Sequence, residues 1–141
     1  IVIIRVANLF GNRRDKPSFI EKIILNNYYK KKYKLNKNNL TRSYLSVEEF
    51  AKILKKIINK KNKSKIYNIA NPFNIKGSLY IINFFEKVFQ KKIKNLFKQN
   101  TSIKNSKISS SLFAKDYNYK FKNNFEKSLI KVLNFYKLNK Y

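Results

Sequence analysis

The chain has 141 residues, 43% hydrophobic and 16% aromatic, and a formal net charge of +26. That is one domain's worth of chain, with enough apolar material to bury a core. It holds no Cys and no His, which excludes disulfides, thiolate zinc sites and Ser-His-Asp acyl transfer.

Any chemistry performed here must therefore use Tyr, Lys, Asp, Glu, Ser or Thr, and no metal site is expected. No run is long enough to span a bilayer, and no signal peptide is expected before the first apolar segment. A cytoplasmic protein without a membrane partner is the expectation.

The opening run IVIIRVA is rich in β-branched residues and is stopped by Asn8 and Gly11. It predicts a strand over residues 1–8 buried on both faces, as in the middle of a parallel sheet. GNRRDKP is a loop closed by Pro17, with Ser18 as a helix cap. Phe19, Ile20, Ile23, Ile24 and Tyr28 then recur at helical spacing. KKKYKLNKNNL predicts a short strand between loops, and TRSYLS alternates as another. Ser46 and Glu49 have capping-box spacing before a helix striped by Phe50, Ile53, Leu54, Ile57 and Ile58.

SKIYNIANP predicts a buried strand ending at Asn71-Pro72. Ser78 is the candidate cap of the next helix, with Ile81, Ile82, Phe85, Val88 and Phe89 as its buried face. NTSIKNSKISSSLF supports one short helix, and NNFEKSLIKVLNFYK a final one burying Phe125, Leu129, Val132, Leu133 and Tyr136. Strands alternating with helices predict an α/β fold.

Two stretches rise above pattern: Arg5-Val6-Ala7-Asn8-Leu9-Phe10-Gly11 and Arg42-Ser43-Tyr44-Leu45-Ser46-Val47-Glu48-Glu49-Phe50-Ala51. With KIYNIAN and the last two helical segments, they resemble in order the second half of the extended short-chain dehydrogenases acting on nucleotide sugars. These enzymes form the NAD-dependent epimerase/dehydratase family. The resemblance implies the C-terminal part of a Rossmann-type fold: late parallel strands plus a small, mostly helical substrate-binding domain. Residues 1–141 would be that substrate-binding portion.

It further implies NAD or NADP as cofactor, held mainly by an N-terminal Rossmann domain that is not in this chain. The Gly-rich phosphate turn cannot be here, since Gly11 and Gly77 are the only glycines. The family's catalytic Tyr-x-x-x-Lys is likewise expected before residue 1. Tyr28/Lys32 and Tyr136/Lys140 match that spacing, but neither falls where the family's pair would, and both read as chance. No catalytic residue is assigned, and the chain alone is expected to be inactive. The implied ligand is a nucleotide-diphosphate sugar, and a homodimer is compatible with the full-length enzyme.

Site residues follow position by position. Asn8, at the end of the first strand, could donate its amide to a pyrophosphate or sugar oxygen. Arg42 is a rare Arg in a Lys-dominated chain, and its planar guanidinium suits a diphosphate. Its bland alternative is a surface ion pair with Glu48 or Glu49. Ser18 and Phe19 match positions that pack the nucleotide base, although Phe19 serves equally as core. Val6 matches a position near the nicotinamide, and Arg5 reads as structural. Lys98 or Lys104 would stand in for an Arg that many members of that family supply as a second diphosphate ligand.

The rival is a small basic nucleic-acid-binding protein. It predicts charge gathered on one face and aromatics exposed for stacking. The lysines instead occur in every segment and the aromatics follow the apolar helix stripes, so no specific nucleic-acid partner is expected.

Overall fold

The opening apolar run forms two strands that belong to different sheets. A computed structural model of the chain describes residues 1–12, 16–36, 40–60, 64–94, 96–97 and 106–138. In it β1 (Val2–Val6) pairs in parallel with β5 (Lys65–Ile69), from Val2 opposite Lys65 to Val6 opposite Ile69. Ala7 ends this ladder by donating its N–H to the Ile69 carbonyl at 2.9 Å. Then β2 (Asn8–Phe10) pairs in parallel with β4 (Thr41–Ser46). The single strand expected through residue 8 is thus corrected: Asn8 opens a second strand.

The expected burial on both faces is also corrected. Val2, Ile4 and Val6 are half-buried, while Ile1, Ile3 and Arg5 are exposed. Among the described residues β5 is the only strand beside β1, and nothing described covers the outer face. Ile66, on β5, is exposed too.

The remaining elements are α1 (Phe19–Tyr28), β3 (Leu35–Asn36), α2 (Val47–Ile58), β6 (Ile75–Gly77), α3 (Ser78–Phe89), β7 (Leu96–Phe97), α4 (Ser111–Asp116) and α5 (Phe125–Leu138). β6 pairs antiparallel with β4, giving a three-stranded sheet ordered β2-β4-β6. β3 pairs with β7.

That small sheet divides two apolar clusters. Phe10 and Tyr44 join α1, α3 and α5 in one, through Ile20, Ile81, Phe85 and Leu129. Leu45 joins α2, β5 and α4 in the other, through Ile53, Ile69 and Phe113. Successive residues of a strand point to opposite faces, so Tyr44 and Leu45 belong to different cores.

Helix edges differ from the expectations where the stripe runs past its partner. Ile58 and Val88 are exposed, and Phe89 is half-buried. Ser78 is the first helical residue of α3, and Gly77 is the N-cap. Ser46 caps α2, accepting the Glu49 N–H at 3.2 Å. The Glu49 carboxylate does not complete the box; it takes the Asn71 Nδ2 at 2.8 Å.

Candidate substrate-binding site

The β2-β4-β6 sheet brings two of the sequence-selected residues together. Asn8 lies opposite Tyr44, and Arg42 lies opposite Lys76. Residues in register share a face, as do alternate residues along one strand. Asn8, Tyr44, Arg42 and Lys76 therefore belong to one face. The Asn8 Nδ2 donates to the Ser43 carbonyl at 3.2 Å, tying its amide to the residue beside Arg42.

Arg42 is half-buried, and its Nη1 donates to the Thr41 carbonyl at 3.2 Å. The segment at Ser106 forms a parallel bridge with it. The two carboxylates weighed as its ion-pair partners are engaged elsewhere, Glu48 with Lys131 at 2.7 Å and Glu49 with Asn71. Burial pushes the Tyr44 phenol up, and the neighbouring Arg42 charge pulls it back.

Ser18 and Phe19 stand at the start of α1, where Ser18 is the N-cap. Its N–H donates to Glu21 Oε2 at 2.7 Å, and its hydroxyl donates to the same oxygen. Phe19 is partly buried against the α1/α3/α5 core. Val6 ends β1 and packs against the other cluster. Arg5 projects from the exposed side of β1. Lys98 and Lys104 lie outside the described residues.

Neither Tyr28/Lys32 nor Tyr136/Lys140 forms an unencumbered couple. Tyr28 packs its ring 5.8 Å from Phe89, with Lys137 Nζ 5.5 Å from the ring centre. Tyr136 is fully buried, and Lys140 lies outside the described residues.

Sequence reasoning missed Glu21. Its side chain is wholly buried, and it holds Ser18 on one side and the Gly11 N–H at 2.9 Å on the other. The signal was present, since Ser18-Phe19-Ile20-Glu21 has the Ser-x-x-Glu spacing. Tyr44 was missed as well; nothing in its own neighbourhood says that Asn8 will sit opposite.

At the carboxyl ends of β2 and β4 a cleft of about 190 Å3 opens between Gly11, Asn12, Val47, Glu48 and α5. Gly11 is needed there for packing: a Cβ on it would lie 1.7 Å from Val47 Cγ2.

No protein-family model and no curated protein matches the sequence. Solved structures do match. A dTDP-glucose 4,6-dehydratase from Bacillus anthracis, in complex with NAD, superposes with a TM-score of 0.85 over 99% of this chain at 18% identity. A UDP-N-acetylglucosamine 4-epimerase from Methanobrevibacter ruminantium, in complex with UDP-N-acetylmuramic acid, gives 0.82 over 97% at 19% identity. A UDP-glucose 4-epimerase from Thermotoga maritima, with UDP-glucose, gives 0.81 over 97% at 12%. The fold is the Rossmann-like α/β fold of those structures, over their C-terminal part.

The chain spans under half the length of those proteins, 45% of the first and 46% of the other two. A dinucleotide cradle does not fit the residues present. Neither glycine has a positive φ, and the space beside Gly11 is filled by Val47. Among the described residues no group of three or more Asp and Glu could hold a metal, and no helix is long and apolar enough to cross a membrane.

Proposed function

We propose that this chain is the substrate-side portion of an NAD- or NADP-dependent nucleotide-sugar epimerase, dehydratase or reductase. The observation that carries the reading is the shared sheet face of Asn8 and Arg42. It stands within a fold found in enzymes solved with NAD and with UDP-sugars.

Arg42 grips the diphosphate, its guanidinium offering two parallel donors to neighbouring oxygens. Asn8 contributes an amide donor from the adjacent strand. Ser18 and Phe19, at the start of α1, border the nucleotide. Val6 lies toward the cofactor side. These residues bind and orient; the reacting sugar carbon is held so that chemistry performed by groups outside these 141 residues meets it in the right geometry. The cofactor supplies hydride transfer, and this chain provides no cradle for it.

The test is equilibrium binding of UDP-glucose and dTDP-glucose to the chain, followed by ligand-observed NMR or calorimetry. Saturable binding that UDP competes for, and that weakens in Asn8→Ala and Arg42→Ala, is the expected result. Binding untouched by both substitutions overturns the site.

A further inference from the structure

Two lysine-rich segments far apart in the sequence meet in one hollow. Lys30, Lys31 and Lys32 follow the end of α1, and Lys91 and Lys94 follow the end of α3. Together they line a depression of about 300 Å3. Its other lining groups, Asn26 and Asn27, are engaged locally. The Asn26 side chain exchanges hydrogen bonds with the Tyr33 backbone at 2.7 and 2.8 Å, and Asn27 Nδ2 donates to the Ile23 carbonyl at 2.9 Å.

No carboxylate lines the hollow. Glu86, on nearby α3, is taken by Lys92 at 3.0 Å and by the Ile93 N–H at 2.9 Å. Among the described residues none of the five ammonium groups has an ion-pair partner.

Lysines after a helix C-terminus also complement the helix dipole. Two such ends supply about one unit of negative charge in all, against five positive charges. Most of the mutual repulsion therefore stands uncompensated. A second lysine-lined depression behaves differently. There Lys56 donates to the Tyr117 carbonyl at 3.2 Å and Lys60 to the Asp116 carbonyl at 2.5 Å.

Ammonium groups act as point charges toward phosphate and impose no planar geometry. No aromatic ring and no Arg lines the hollow, so a base would find nothing to stack on. We propose that the hollow binds a compact oligophosphate anion, a short chain of linked phosphates. The inference shares no residue with the proposed nucleotide-sugar site and stands independently of it.

The experiment is calorimetric titration of inorganic tripolyphosphate into the chain at physiological salt. The site variant carries Lys31→Gln, Lys91→Gln and Lys94→Gln. The control carries Lys115→Gln, Lys120→Gln and Lys127→Gln, which removes the same charge from exposed positions elsewhere. Affinity is expected to fall about tenfold or more in the site variant and within about twofold in the control. Tripolyphosphate should raise the melting temperature of the wild type and the control, but not of the site variant. Should the triple variant fail to fold, Lys31→Gln and Lys94→Gln singly should each lose part of the affinity.

Equal weakening in both variants, or no binding by the wild type, overturns the proposal. So does a single-stranded oligonucleotide of matching charge that competes better than tripolyphosphate.

Discussion

Glu21 Oε1 receives the Gly11 N–H at 2.9 Å, while its Oε2 receives the Ser18 N–H at 2.7 Å. One buried carboxylate thus holds both ends of the segment joining β2 to α1. That segment leads from Asn8 to Ser18 and Phe19, so Glu21 sets the spacing of proposed contacts that it does not itself make.

Hydrogen bonds to a charged group contribute about 1.5–3 kcal/mol each. Glu21→Ala leaves two backbone donors without this acceptor and should cost about 2–5 kcal/mol in urea unfolding. Glu21→Gln keeps the shape and one acceptor, and should cost clearly less. Equal stability of the Ala variant and the wild type would refute the tie.

Gly11→Ala tests the close approach to Val47. With Cγ2 of Val47 1.7 Å from the new methyl group, the Val47 side chain or the backbone must give way, at about 1–3 kcal/mol. Adding Val47→Ala removes that atom and should recover part of the loss. A double-mutant cycle in thermal melts reads the coupling; purely additive losses would argue against the contact.

The role of Arg42 is testable in the longer enzyme proposed above. A guanidinium on a diphosphate acts on ground state and transition state alike. Arg42→Ala should raise the Michaelis constant for the sugar nucleotide about 10- to 100-fold and change kcat little. Arg42→Lys should restore only part of this, because a point charge cannot span two phosphate oxygens. Unchanged Michaelis constants in both variants would make Arg42 a surface charge.

Two carboxylates should respond to pH with opposite signs. Burial pushes Glu49 above its ordinary range, despite the Asn71 bond that pulls it down. The folded state then binds its proton more readily than the unfolded state, so stability falls as pH rises through that range. Glu49→Gln should therefore be neutral or stabilising at pH 7, with the difference shrinking in acid. Asp116 is held below its ordinary range, first by its bond from Lys65 and then by that from Tyr67. Its contribution is complete above the ordinary carboxylate range and disappears as pH falls through the lowered value. Asp116→Asn should be destabilising at pH 7 and equal to wild type in strong acid. Melting curves between strong acid and neutrality compare the two variants, and a common sign would contradict the assignment.

The outer face of β1 and β5 exposes Ile1, Ile3 and Ile66. The isolated chain should bind an apolar dye, and Ile3→Lys should reduce that binding while leaving the far-ultraviolet spectrum unchanged. Dye binding indifferent to Ile3→Lys would place the apolar surface elsewhere.

Much of this architecture was legible in local patterns. The helix stripe Ile20, Ile23, Ile24 and the alternation in TRSYLS report which side of an element meets apolar neighbours, because side-chain direction follows from backbone period alone. The order of the motifs around Asn8 and Arg42 pointed to the Rossmann-like fold. What a linear pattern does not carry is the identity of the neighbour. Ala7 looks like one more residue of an apolar strand, yet there the backbone bonds pass from β5 to β4, since pairing depends on segments more than thirty residues away. Ile58 and Val88 continue their stripes but find no partner at the helix ends. Lys30–Lys32 and Lys91–Lys94 read as separate solvated runs until α1 and α3 pack side by side and leave five like charges around one hollow. Local chain stiffness and amphipathicity settle which elements form; only long-range packing decides which of their polar groups face each other.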